Sequence, residues 1–145
     1  MTQRDKILRE VQQTLGGSPK IKFVASSETD INQETISRFK TPLAILSPGD
    51  VTLTDPRIGA VKRPRQTLPL QILLIINKTK KDETEALNDL EFEVKRLMYK
   101  DRRRGTYAIS TDYQSRGALL DLFEESIYAG FAILFNILYE ENLEV

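Results

Sequence analysis

The chain has 145 residues, 21 basic and 21 acidic side chains for a formal charge of zero, and neither cysteine nor histidine. That length fits a single domain with a core of its own. The two missing residue types exclude disulfides, thiolate nucleophiles, Cys- or His-based metal sites, and the Ser–His–Asp and Cys–His forms of nucleophilic catalysis.

The zero total hides a split. Arg57 to Arg104 carries 13 basic and 7 acidic residues, whereas Gly105 to Val145 carries 1 and 7. A gradient of this kind bears on association and orientation rather than on fold. Met1 to Glu10 reads MTQRDKILRE, without the cationic start and apolar stretch of a secretion signal. The longest apolar run, Ile72 to Ile76, is far short of the ~20 residues of a membrane helix, so a soluble protein is expected.

In chain order, Ile7, Leu8, Val11 and Leu15 recur at helical spacing between Thr2 and Leu15, and Gly16-Gly17 stops the pattern. Ile21 to Ala25 is a short strand-like run. Ser26 to Lys40 is polar and reads as a short helix or a draped loop around Ile31, Ile36 and Phe39. Pro42 to Ser47 is an apolar strand closed by the turn residues Ser47-Pro48-Gly49-Asp50. Val51 to Arg65 reads as a hairpin arm: Val51 and Leu53 alternate with threonines, Asp55-Pro56 breaks the run, and Arg57, Lys62, Arg63 and Arg65 follow. A structureless stretch of that length is uncommon inside a domain.

Gln66 to Asn77 is the strongest strand. Leu68, Leu70, Ile72, Leu74 and Ile76 share one face, while Leu73 and Ile75 make the second half apolar on both, so that half must be covered twice. Asp82-Glu83-Thr84-Glu85 opens a helix with acid at its positive end. The helix extends to about Lys100, with Leu87, Leu90, Val94, Leu97 and Met98 toward the core and Glu91 and Lys95 as an i,i+4 pair. After a turn at Asp101 to Gly105 come three strand-like runs, Thr106 to Tyr113, Ala118 to Glu124 and Ile127 to Glu140. The expected fold is one α+β domain over residues 1–145, an antiparallel β-sheet packed by two helices on one side, with a protruding β-hairpin arm.

Constellations that carry chemistry are few. Glu124-Glu125 and Glu140-Glu141 are adjacent pairs whose members point to opposite faces of a strand, which suits them poorly to acid/base work. Gly16-Gly17 lacks the Gly-Lys-Ser/Thr run of a phosphate loop. No catalytic, cofactor-binding or metal-binding residue is assigned, and function is expected to lie in surfaces. Lys100 and Arg102 to Arg104, with Lys78, Lys80, Lys81, Arg57, Lys62, Arg63 and Arg65, fit nucleic-acid phosphates. Alternatively Arg102, Arg103 and Arg104 face the acidic Glu124, Glu125, Glu140 or Glu141 of a neighbouring copy, on which the arm with Arg57, Lys62, Arg63 and Arg65 also packs, or all are solvated. Phe92 and Tyr99, seven residues apart and opposite the core stripe, are either covered by the rest of the chain or form a partner-binding patch.

Taken together, these pieces resemble the tail terminator, or tail-completion, family of long-tailed bacteriophages. The likeness is carried by the opening amphipathic helix, the strand and turn PLAILSPGD, and a charged arm leading into RQTLPLQILLIIN. It continues through the acidic-start helix DETEALNDLEFEVKRLMY to the closing strand YAGFAILFNILYEEN. The stretch Ser26 to Lys40 matches no feature of the family. The resemblance implies a non-enzymatic virion subunit without cofactor, assembled in the host cytoplasm. It also implies a homo-oligomer, a hexameric ring that caps the last ring of tail tube protein, ends tube growth, and presents a surface to the head-tail connector or neck protein. A sheath protein is a further neighbour if the tail is contractile, DNA at most passes through the lumen, and no membrane is involved. The rival expectation is a nucleic-acid-binding accessory protein with a basic arm; a third is an accessory to a phage enzyme with no chemistry of its own.

Overall fold

A computed structural model of the chain describes residues 2–26, 41–53, 64–77, 83–118, 120–122 and 128–141. Helix α1 spans Gln3–Gly16 and begins at a capping box: the Thr2 hydroxyl accepts from the Asp5 N–H at 3.2 Å, and the Asp5 carboxylate accepts from the Thr2 N–H at 3.1 Å. These bonds satisfy two of the N–H groups a helix start leaves unpaired, and they hold the Asp5 carboxyl below its ordinary pKa. The inward stripe is Ile7, Val11 and Leu15, all fully buried.

Strands β1 (Phe23–Ser26), β2 (Leu43–Pro48), β3 (Thr52–Leu53) and β4 (Arg65–Asn77) follow, then helix α2 (Glu83–Lys100) and strands β5 (Ser110–Arg116), β6 (Leu120–Leu122) and β7 (Tyr128–Glu140). Among the described residues the strands join in one sheet of order β1-β2-β4-β7-β5, with β3 on β4 and β6 on β7. The fold is α+β. The sheet is mixed, however: every pairing is antiparallel except β1 with β2, which is parallel. The sixteen residues between Ser26 and Leu43 meet the dozen or more that a parallel return needs. The expected arm is described only at its base, where Thr52 and Leu53 pair antiparallel with Thr67 and Gln66; residues 54–63 lie outside the described residues.

The central pair is β4 and β7, thirteen residues each, in register from Arg65 opposite Glu140 to Asn77 opposite Tyr128. One face of this pair presents Leu68, Leu70, Ile72, Leu74, Ile133, Phe135 and Ile137, all fully buried. Both helices pack on that face, α2 through Leu87, Leu90, Val94 and Met98. Full burial of a side chain of this size stabilises the fold by about 1.5–3 kcal/mol. A second cluster, Ala25, Leu43, Ile45, Ile75 and Tyr128, lies on the other face toward the β1 end. Leu73 packs against it, so the doubly apolar half of β4 buries side chains on both faces of the sheet.

Pro69 stands in a central strand, where a missing N–H ordinarily breaks the ladder. Its carbonyl accepts from the Gly49 N–H at 2.8 Å, on the side away from β7. A strand residue directs both its backbone groups to the same side, so the absent N–H falls in the gap between β2, which ends opposite Leu70, and β3, which begins opposite Thr67. No ladder bond is lost.

The helices are tied to β1 through Glu93. This buried carboxylate accepts from Arg96 at 2.6 Å and from the Ser18 hydroxyl at 3.3 Å, and pairs with Lys20 at 3.7 Å. The Arg96 hydrogen bond outweighs burial and lowers the Glu93 pKa from its ordinary 4.5. A carboxylate whose folded pKa is depressed stabilises the fold above its unfolded pKa, and that contribution disappears as the pH falls through the lowered folded value. In urea titrations across pH 2–7, Glu93→Gln should therefore be less stable than the parent at neutral pH. The gap between the two proteins should close below about pH 4.

Candidate functional site

Of the residues expected to form a charged interface, Arg102, Arg103 and Arg104 lie in the turn after α2. Asp101 organises it, accepting from the Arg103 N–H at 3.1 Å and the Gly105 N–H at 2.7 Å. Arg104 at φ 51° and Gly105 at φ 79° take the left-handed conformation within the turn that follows the helix. This backbone turn sends the three arginines in three directions.

Arg104 goes inward. It is fully buried, its Nη1 donates to Glu10 of α1 at 3.1 Å, and its Nη2 donates to the carbonyls of Met98 and Asp101. Burial pushes its guanidinium below the ordinary value, while Glu10 and Asp101 pull the other way. Arg104 thus holds α1 against the end of α2, and the expectation that it meets an acidic neighbour is corrected: a buried guanidinium needs its acceptors inside the chain. Arg102 lies along the outer edge of β5. It pairs with Asp112, donates from Nε to the Thr111 carbonyl at 3.3 Å, and stacks over the Tyr99 ring at 5.4 Å. Arg103 alone of the three is exposed with no ionic partner among the described residues.

Tyr99 is half drawn into the same edge, since its hydroxyl accepts from the Tyr113 N–H at 2.8 Å. Its spacing suggested an outward aromatic; the structure makes it a lateral prop of β5, 41% exposed. Phe92 faces outward without such a role, at 67% exposure. Arg65 and Glu140, expected to reach a neighbour, stand opposite each other on β4 and β7 and pair at 3.4 Å. Glu141 donates its N–H to the Pro64 carbonyl at 3.1 Å, and its charge, after burial, helps raise the Tyr139 pKa. Arg116 reaches Asn88 at 2.6 Å and Glu91 at 3.8 Å, and Glu91 holds Lys95 at 3.1 Å as the i,i+4 spacing implies. The basic middle and acidic end of the chain therefore pair with each other within one subunit at Arg102–Asp112 and Arg65–Glu140. Arg57, Lys62, Arg63, Glu124 and Glu125 lie outside the described residues.

The surface that sequence patterning missed is the sheet face turned away from the helices. Pro69, Gln71, Leu73, Ala132, Leu134, Asn136 and Leu138 project there from β4 and β7, and all but exposed Gln71 are half-buried. Of these, Pro69, Gln71, Ala132 and Leu134 border a groove of about 440 Å³, together with Ser47, Gly49, Ser115, Arg116 and Gly117. Its signal was present in the even-numbered positions of β7, which are apolar at 132, 134 and 138 where a solvent face would alternate to polar residues. Gly49 shapes one wall: a Cβ there would sit 2.9 Å from Pro69 Cγ. No family model matches the chain, and no curated protein matches it.

Two substitutions test this geometry. Arg104→Ala strands Glu10 and two carbonyls, and should cost about 3 kcal/mol of unfolding free energy in urea. Gly49→Ala forces the Pro69 ring aside and should cost about 1–2 kcal/mol in the same measurement.

Proposed function

We propose that the chain is a non-enzymatic assembly subunit, a tail terminator whose ring closes the head-proximal end of a phage tail tube. The observation that carries the reading is the half-apolar groove on the second sheet face, lined by Pro69, Gln71, Ala132 and Leu134 together with one charged residue, Arg116. Contiguous half-apolar surface of this kind marks an interaction site. Among the described residues both helices lie on one face, and the half-buried β4–β7 part of the other face is where a second subunit or the tube would sit. The α+β order of elements agrees with the resemblance drawn from PLAILSPGD, RQTLPLQILLIIN and YAGFAILFNILYEEN.

In this reading, the ring forms by heterologous contacts that close after a whole turn. One ring face complements the tail tube protein and the other does not, so tube growth ends where the ring binds. The opposite face meets the head-tail connector or neck protein. Nothing covalent happens, and apolar contact provides the affinity, since exposed ion pairs contribute only about 0–1 kcal/mol each. The nucleic-acid reading draws less support, because Arg102 and Arg104 are already engaged by Asp112 and Glu10.

Light scattering and negative-stain imaging of the purified protein, alone and with tube protein, should show rings. Leu134→Asp should abolish them while the melting temperature stays within a few degrees of the parent. A phage carrying only that variant should make tails of irregular length. Normal tail lengths with Leu134→Asp, or a parent protein that stays monomeric even with tube protein, would overturn the proposal.

A further inference from the structure

The outward stripe of α2 has a charge order unrelated to the groove and lies on the opposite side of the molecule, so it goes beyond the ring reading. Opposite the buried Leu87, Leu90, Val94 and Met98, the exposed Glu85, Asp89, Phe92, Arg96 and Lys100 fall on one line, Arg96 also pairing with Glu93 of its own helix while half exposed. They recur every three or four residues and therefore form one ridge. The two acids lie N-terminal to Phe92 and the two bases C-terminal to it. We propose that two copies of this chain pair back to back through α2, antiparallel, about a twofold axis that passes beside Phe92.

The distances decide the orientation. At 1.5 Å per residue, Asp89 lies about 4.5 Å before Phe92 and Arg96 about 6 Å after it, while Glu85 and Lys100 lie about 10.5 and 12 Å away. Setting Phe92 on the Phe92 of a second, antiparallel copy brings Asp89 opposite the other Arg96, and Glu85 opposite the other Lys100, each within about 1.5 Å along the axis. A parallel arrangement sets like charge on like charge. The ridge thus complements itself only in the antiparallel sense, as an isologous contact requires. The apolar centre is Phe92, the most exposed of the large hydrophobic side chains among the described residues. Charge sets direction and encounter, and burial of the two rings adds to the affinity.

The chain has no cysteine, so Phe92→Cys carries a single thiol that can form a disulfide only with its own counterpart. Under mild oxidation it should link into dimers about tenfold faster than Gln12→Cys on the exposed side of α1, because pairing raises the local thiol concentration. Sedimentation equilibrium of the parent chain should show a dimer that weakens with salt. Glu85→Lys with Asp89→Lys should lower its affinity about tenfold, and adding Arg96→Glu with Lys100→Glu should restore it. Arg96→Glu also removes a partner of Glu93, so Glu85→Lys with Lys100→Glu serves as a second restored pair, and thermal melting confirms that each variant is folded. Linking of Phe92→Cys no faster than Gln12→Cys, or reversed chains that recover no affinity in either restored set, would overturn the inference.

Discussion

The ladder between β4 and β7 places every other element. Two thirteen-residue strands in continuous register offer one face long enough for both helices and leave a second face of equal length. Because side chains alternate strictly, a slip of one residue would bring Gln71, Asn77 and Asn136 under the helices and turn Ile72, Phe135 and Ile137 out. The apolar parity of both strands forbids that slip. β2 and β3 then share the outer side of β4 and β5 takes the outer side of β7, with Pro69 at the point where β2 gives way to β3.

Charge plays a different part from the one its distribution suggests. Arg104, Glu10 and Asp101 join α1 to the end of α2, Glu93 joins α2 to the start of β1, and Arg65 with Glu140 closes the far end of the ladder. Arg104 and Glu93 are themselves buried, where an unpaired charge is costly, so their contacts help specify how the helices lie on the sheet.

Much of this architecture is legible in the sequence because it rests on periodicity. The stripes of α1 and α2 and the alternation of β4 and β7 predict their positions to within a residue or two, and the doubly apolar Leu73–Ile76 foretells the second cluster. What depends on a distant partner is not legible. In Arg102-Arg103-Arg104 three like residues read as one solvated patch, yet a left-handed backbone at Arg104 and a glutamate 94 residues away bury the third. Tyr99 follows Phe92 by two helical turns and reads as its equivalent; only the neighbouring β5 distinguishes them. The parallel course of β1 leaves no mark in its four residues, since pairing direction is set by the route of the chain between strands. The groove was half legible: β7 showed a second apolar row without showing what it faced.

Tyr99 and Arg102 also have a bearing on how this protein behaves at high concentration. Among the described residues β5 is the outermost strand of its side of the sheet, and a bare edge invites another chain to add a strand. Here the Tyr113 N–H is taken by a phenol and the Thr111 carbonyl by a guanidinium, both delivered from the end of α2. An incoming strand would have to displace an aromatic ring and break an ion pair before making its first backbone bond. Runaway growth of sheet upon sheet is thereby discouraged at this margin, and copies crowded together in a cell are directed to meet through side chains, whose shapes and charges can choose a partner.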